Sequence, residues 1–447
     1  MKSKKQNKRK HGQPRQIITA VVAGADGEIF ELEGYGAVGM AGPLLAPLTV
    51  ADTVKLPYGS ELMLLPDRCP VLWNMAAERF EVVSKNPYAP GEALFPVAAF
   101  NSPGYLLSGV SAYAENPGAD YLPLFSYGAT GWHQDGFRSA ALQVDREKRQ
   151  DLRLMQPEEV ARGVRQKRKA LPDNRLRAHL EKCALTYGCP AGKNFFLGRY
   201  EAPLPTSKSC NARCLGCISL QKDHRIPASQ NRIAFTPSPG EITQVALAHI
   251  NAVKKSVVSF GQGCEGDPLM AAEAIEPAIR RIRAATVQGT INMNTNGSRP
   301  KVLERLFDAG LDSIRVSLNS VRPECYEAYF RPSGYRFTDV LASITLAKDK
   351  GRFVSINYLN CPGFTDTPAE QDALMAFLDE FKIDMIQWRN LNFDPLRYWQ
   401  AMDVGIDPGK PLGMHRCLKR VKSVFPQLMN GYFNPPREKW PRNGEHP

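Results

Sequence analysis

The chain has 447 residues, 43% of them hydrophobic and 23% charged, with a formal net charge of +12. That length admits two or three domains with an ample core. No run reaches the ~18–20 apolar residues of a membrane span, so membrane insertion is excluded and a cytoplasmic location is expected. The ten cysteines are not paired as in a small secreted scaffold, which points to metal or redox use in a reducing compartment.

Residues 1–16 read as a basic, disordered tail. They hold seven Lys and Arg and no acid, leaving +5 for the remainder. Such an arm either grips phosphate backbones or is simply a solvated terminus. With the apolar run 17–25 it mimics a signal peptide. Asp26-Gly27 between the strand-like runs 17–22 and 28–32 favours a β-hairpin instead.

Residues 17–145 read as a β-rich N-terminal domain. Short Val/Ile/Leu/Tyr/Phe segments (95–100, 105–113, 137–144) alternate with Gly and Pro punctuation, and no helical period of any length appears. The glycine- and aromatic-rich segments at 34–36, 127–128 and 131–136 are either a ligand surface or turn chemistry. Residues 146–197 read as a charged helical connector, with seven Lys and Arg between Arg162 and Arg177 against Asp173 alone. A solvated face is the ordinary meaning of such a run, and a phosphate-binding surface is the other.

From 198 to 390 strand and helix alternate, as in βα units on a parallel sheet. Strands are expected near 198–203, 256–260, 290–294, 313–318, 354–359 and 385–388. Helices are expected at 241–252, 270–285, 301–309, 337–350 and 368–381, the last two before 354 stopped by Gly310 and Gly351. Six units are too few for a closed eight-stranded barrel. Residues 391–447 read as a short C-terminal extension, with a helix near 411–424 and a loose tail after Pro435.

The most informative segment follows the first of these strands: Ser209-Cys210-Asn211-Ala212-Arg213-Cys214-Leu215-Gly216-Cys217. Three thiols at C-x3-C-x2-C are one short of the four that usually hold an iron–sulfur cluster. Zinc would also accept three thiolates and a histidine, but there is no second C-x2-C, and His224 stands at no recognised spacing. The second strand ends in Gly261-Gln262-Gly263-Cys264-Glu265-Gly266-Asp267-Pro268. This is nominally a dinucleotide fingerprint, but Asp267-Pro268 follows at once and no acid closes a strand about 20 residues on. The third strand ends in Asn294-Thr295-Asn296-Gly297.

Together these segments resemble the radical S-adenosylmethionine (radical SAM) superfamily over roughly 198–390. The resemblance implies an α/β core folded as a partial (β/α)6 TIM-like barrel, with chemistry at the carboxyl ends of its strands. It implies Cys210, Cys214 and Cys217 as ligands of a [4Fe–4S] cluster whose open iron is chelated by SAM. Reductive cleavage of SAM then yields a 5′-deoxyadenosyl radical that takes a hydrogen atom from the substrate. A donor such as flavodoxin or ferredoxin supplies the electron.

By the same resemblance Gly266 and Asp267 approach the SAM amine, with Asp267 in place of the family's usual Glu and Glu265 sharing its work. Asn294, Thr295 and Asn296 lie beneath SAM. Ser317 and Asn319 contact its ribose and carboxylate, and Asn357 lies beside them. The family usually has an aromatic residue just before the third cysteine. Here that residue is Gly216, so its contact with adenine passes to another side chain, Ile218 or Trp388.

Cys264 and Cys361, at strand ends, are candidates for a hydrogen-atom relay or covalent handle. Cys183, Cys189 and Cys417 either build an auxiliary cluster or are inert buried thiols. The expected function is a radical SAM enzyme, with a lean toward a peptide or RNA substrate from the basic arm and connector. The alternative is a non-catalytic iron–sulfur or zinc protein that binds RNA or another acidic partner.

Overall fold

The computed structural model of the protein describes residues 16–404 and 409–441; the basic tail lies almost wholly outside them. The first described segment is the expected hairpin. Thr19–Ala23 pairs antiparallel with Ile29–Gly36 in the register Ala23 to Ile29, around Gly27 at φ +86°. Ala20 and Val22 are fully buried, so the apolar run at 17–25 is an interior strand. The hairpin opens a 13-stranded, mostly antiparallel sheet; a separate two-stranded ribbon pairs Tyr105–Leu107 with Ala141–Gln143.

The connector forms three helices: α1 (Pro157–Ala170), α2 (Arg175–Leu185) and α3 (Pro190–Leu197). The next region is a parallel sheet of seven consecutive strands. They are β1 (Glu201–Pro203), β2 (Val257–Phe260), β3 (Thr290–Thr295), β4 (Ser313–Leu318), β5 (Phe353–Asn360), β6 (Met385–Asn390) and β7 (Met429–Gly431). The helices between them are α4 (Pro239–Ile250), α5 (Ala272–Ala285), α6 (Pro300–Ala309), α7 (Pro323–Phe330), α8 (Phe337–Asp349) and α9 (Pro368–Phe381), with α10 (Pro395–Ala401) and α11 (Met414–Val424) beyond β6. This is the expected partial barrel, open because β1 and β7 are not paired.

Three differences have plain causes. β1 begins later than the sequence suggests, because Gly198 ends α3 in the left-handed region and Tyr200 also has positive φ. α7 is a two-turn helix announced only by Pro323 at its first turn. β7 carries Met-Asn-Gly, which has no β-branched residue, and it pairs with β6 all the same.

Strands β2 and β3 are buried along their whole length, as a parallel sheet covered on both faces requires. The inward positions are nevertheless polar, and they satisfy one another as buried polar groups must. Asn292 donates to Ser259 Oγ (3.3 Å) and Asn294 Oδ1 (2.8 Å), and Ser313 donates to Asn292 Oδ1 (2.8 Å). At the amino-terminal end of the barrel Asn434 closes the floor. Its amide donates to Glu201 (2.7 Å) and accepts from Gln387 (2.8 Å). The segment after Pro435, expected to be loose, is docked: Arg437 N–H donates to Thr290 Oγ1 (2.8 Å) and Trp440 stacks on Phe353 at 4.6 Å.

The N-terminal region covers the opposite, carboxyl-terminal end. Asn360 donates to the Leu107 carbonyl, Asn390 donates to the Tyr105 carbonyl, and Leu107 N–H donates to Asn390 Oδ1, each at 2.9 Å. A fully buried Arg68–Asp394 pair (3.0 Å) joins the sheet to the start of α10. Removing one partner of such a pair strands a charge, at a cost of about 3–5 kcal/mol.

Candidate functional site

The cysteine loop leaves β1 and is held from three directions. From the β2 loop, Gly266 N–H donates to the Ser207 carbonyl (2.6 Å) and Asp267 N–H to that of Ser209 (3.0 Å). From the β3 loop, Asn296 donates to Asn211 Oδ1 (2.8 Å), while Asn211 donates to Ser298 Oγ (3.0 Å). Toward α7, the amides of Arg213 and Leu215 donate to the carbonyls of Phe330 (2.8 Å) and Tyr329 (3.0 Å). The loop is therefore positioned before any ligand arrives.

Cys210, Cys214 and Cys217 line both an outer cavity of about 920 Å³ and an inner one of about 300 Å³. Among the described residues, their sulfurs do not form a group mutually within 4.8 Å. A tetrahedral zinc ion with bonds of ~2.3 Å needs sulfurs about 3.8 Å apart. The triplet is thus not gathered around a single-ion position as it stands. Burial, with the Asp267 charge next, pushes the Cys210 thiol up to about 11. Burial also pushes Cys214 up strongly, followed by the neighbouring thiols. Loading this site with metal therefore releases protons.

The two carboxylates of the β2 loop have different work. Glu265 accepts from four backbone amides, those of Thr206 (2.7 Å), Ser207 (2.9 Å), Gly261 (2.7 Å) and Gln262 (2.8 Å). It fastens the β1 loop to the β2 loop, and those bonds occupy the lone pairs that sharing a ligand with Asp267 would need. Asp267 accepts from Thr295 Oγ1 (2.9 Å) and from the amides of Asn296 (2.7 Å) and Leu269 (3.0 Å). Burial pushes its carboxyl up to about 6 against those donors.

Gly266 has its own reason. A Cβ there would lie 1.9 Å from the Ser209 carbonyl oxygen, so the glycine is required by the approach of the cysteine loop and not by a ligand alone. At Gly261, φ is +79° and a Cβ would fall 1.7 Å from the Asn294 carbonyl.

The structure brings Gly266, Asp267, Asn294, Thr295, Asn296, Ser317 and Asn357 to the inner cavity beside the triplet. It does not bring Asn319 there. β4 ends at Leu318, so the alternation that would align Asn319 with Ser317 stops one residue short. Its buried amide turns to the Cys325 carbonyl (3.1 Å) and Tyr398 Oη (3.3 Å).

Cys361 is buried with its Sγ 3.9 Å from the Pro362 carbonyl, outside the cavity lining. Cys264 also turns away, toward α2, with its Sγ 3.4 Å from His179 Nε2. Trp388 sits on the outer face of β6 and donates to Asn430 (3.0 Å), because the inward positions of that strand are Gln387 and Arg389. Ile218 does line the cavity.

Two features were missed by sequence reading. The space at Gly216 is filled from α7 and the segment after β6: a Cβ there would be 2.8 Å from Tyr329 Oη and 3.4 Å from Phe393 Cβ. Tyr329 lines the inner cavity and is the ring the gap accommodates. Further in, Arg315 and Arg389 face a cavity of about 730 Å³ that shares Asn357, Leu359, Asn390 and Asn392 with the inner one. The Nε of each arginine is buried without a partner. Burial, then the neighbouring Arg389, pushes Arg315 down to about 9. The inward alternation of β4 and β6 was the signal for both.

Among the described residues no helix is long and apolar enough to cross a membrane. Residues 204–376 match the family model of the radical SAM superfamily. GTP 3′,8-cyclase of Aquifex aeolicus is 29% identical over 222 residues, covering 48% of this chain and 62% of that protein. The Lactiplantibacillus plantarum GTP 3′,8-cyclase is 27% identical over 209 residues, covering 45% and 58%. The match therefore spans less than two thirds of these relatives. Streptococcus suis SuiB bound to S-adenosylmethionine aligns with a TM-score of 0.35 at 17% identity, covering 51% of this chain and 49% of that one. The triplet thus stands at the mouth of a partial parallel barrel whose β2–β5 fall inside the segment, residues 204–376, that matches the radical SAM superfamily.

Proposed function

We propose that Cys210, Cys214 and Cys217 hold the [4Fe–4S] cluster of this enzyme, and that SAM lies between them and the ends of β2–β5. The observation that carries this reading is that the triplet lines one cavity together with the Asp267, Asn294–Asn296, Ser317 and Asn357 segments. Held by these three thiolates, a cluster would supply the one-electron reduction that cleaves SAM and so the means of hydrogen-atom abstraction. Asp267, held by Thr295 and the Asn296 amide, offers its carboxylate to the cationic methionine end. Tyr329 offers its ring to the adenine in place of the side chain Gly216 lacks. Glu265 keeps the cysteine loop and the β2 loop in fixed register.

Arg315 and Arg389 support a substrate that carries an anionic group, carboxylate or phosphate, held deeper in the barrel. Both side chains line the cavity there, and two guanidinium charges on one wall favour an anionic ligand. The N-terminal region supplies one wall of that space through Tyr58, Glu61 and Phe100, which excludes water from the radical.

Anaerobic EPR of the reconstituted, dithionite-reduced protein, with and without SAM, tests the reading. A reduced [4Fe–4S] signal that shifts on adding SAM, together with release of 5′-deoxyadenosine, is the expected result. A cluster indifferent to SAM overturns it.

A further inference from the structure

A second group of metal-binding side chains lies on the far side of the β2 loop. His179 and Cys183 are one turn apart on α2 and therefore share a face. Cys264 reaches them from the loop after β2. His179 Nε2 is 3.4 Å from Cys264 Sγ and 3.5 Å from Cys183 Sγ, and all three donor atoms lie within 4.8 Å of one another. Cys183 and Cys264 are buried and His179 partly so.

Hydrogen bonds between the two thiols and from one thiol to the imidazole would satisfy these groups in pairs. They do not require all three donor atoms to converge on one point, as they do here. One imidazole nitrogen either donates one proton or accepts one, yet here it meets two sulfurs. A metal ion accounts for both contacts. Zinc bonds of ~2.3 Å to sulfur and ~2.0–2.1 Å to nitrogen, set at a tetrahedral angle, place nitrogen and sulfur about 3.5 Å apart. That is the spacing found. We propose that His179, Cys183 and Cys264 bind a single structural zinc ion.

Cys189, at the turn after α2, donates its amide to the Cys183 carbonyl (3.0 Å) but stands outside the group, so the described residues supply three ligands. The site clamps α2 onto the loop that begins at Gly261 and ends at Asp267, next to the Glu265 fastening. A metal held by thiolates and imidazole contributes folding energy directly.

The test is zinc content and zinc-edge X-ray absorption of the full chain, purified anaerobically from zinc-supplemented cells. The expected result is one zinc per chain with a mixed sulfur and nitrogen shell at about 2.3 and 2.0 Å. A Cys210→Ala/Cys214→Ala/Cys217→Ala variant should keep that zinc, which separates this site from the triplet and from the proposed SAM chemistry. His179→Ala and Cys264→Ser should each lose it at least tenfold. The spectrum of the unsubstituted chain decides the matter even if those variants fail to fold. Zinc-free protein, an oxygen-only shell, zinc lost with the triplet, or a Cys183–Cys264 disulfide in anaerobic protein each overturns the proposal.

Discussion

Two sulfur-bearing regions flank the β2 loop, and they differ in the property that selects a ligand. Cys210, Cys214 and Cys217 stand wide apart and line open space on both sides. His179, Cys183 and Cys264 converge within 4.8 Å in a closed interior. Sequence spacing does not foretell the difference, since the compact group draws on residues about 80 positions apart while the wide one fits in a single loop. Separation in space reports whether a single-ion position is already gathered, and exposure reports whether a bound group meets a substrate.

Breaking one side of this pair should leave the other intact. Cys214→Ala has the largest expected effect: the reduced-cluster EPR signal and 5′-deoxyadenosine formation disappear, while zinc content is unchanged. Gly266→Val comes next. Its side chain collides with the Ser209 carbonyl beside Cys210, so iron content and SAM binding should fall together, each by about tenfold or more. Loss of SAM binding with full iron occupancy would contradict the packing described for that glycine.

Asp267→Asn sharpens the comparison through pH. The buried carboxyl titrates near about 6 instead of the ordinary 3.8, so it is neutral below that value and anionic above it. SAM affinity should strengthen by about tenfold as pH rises through 6, corresponding to ~1.4 kcal/mol. The variant should bind weakly at all pH, as isothermal titration will show. In the SAM-free protein the sign reverses. A raised acid is easier to ionise unfolded, so stability falls as pH climbs from about 4 to 6; in denaturant melts the variant has a shallower slope there, the remainder coming from other buried carboxyls such as Glu265.

The smallest effects belong to residues that the folded chain turns away from the cavity. Cys361→Ala should leave 5′-deoxyadenosine formation within about twofold. Asn319→Ala should leave SAM affinity similarly unchanged while lowering stability by about 1–2 kcal/mol, through the loss of two buried hydrogen bonds. A hundredfold loss of turnover in either would return that residue to the site.

The parallel strands were legible because burial on both faces demands apolar or β-branched runs, as in Val257–Phe260, and because Gly310 and Gly351 mark helix ends. The triplet was legible because its ligands are local. What escaped depended on tertiary approach. Asn319 was placed by continuing an alternation past the end of its strand. Trp388 was offered to the adenine although the same period-two rule sends it outward, opposite Arg389. Tyr329 fills the space at Gly216 from a helix about 110 residues later. The one local clue to the compact metal group was the i, i+4 spacing of His179 and Cys183, and its third member is supplied by another element.

Asn434 and Trp440 give the fold a vulnerability of an unusual kind. Every motif by which this chain is recognised ends before residue 391, yet the floor of the barrel is laid by residues some forty positions later. A gene truncated just after β7 would retain the complete cofactor signature and encode a tube without a base, its Glu201 and Gln387 left facing each other without the amide that joins them. Among variants of this gene, an intact signature is therefore a poor measure of an intact enzyme, and the last few codons before residue 441 deserve the same scrutiny as the cysteines.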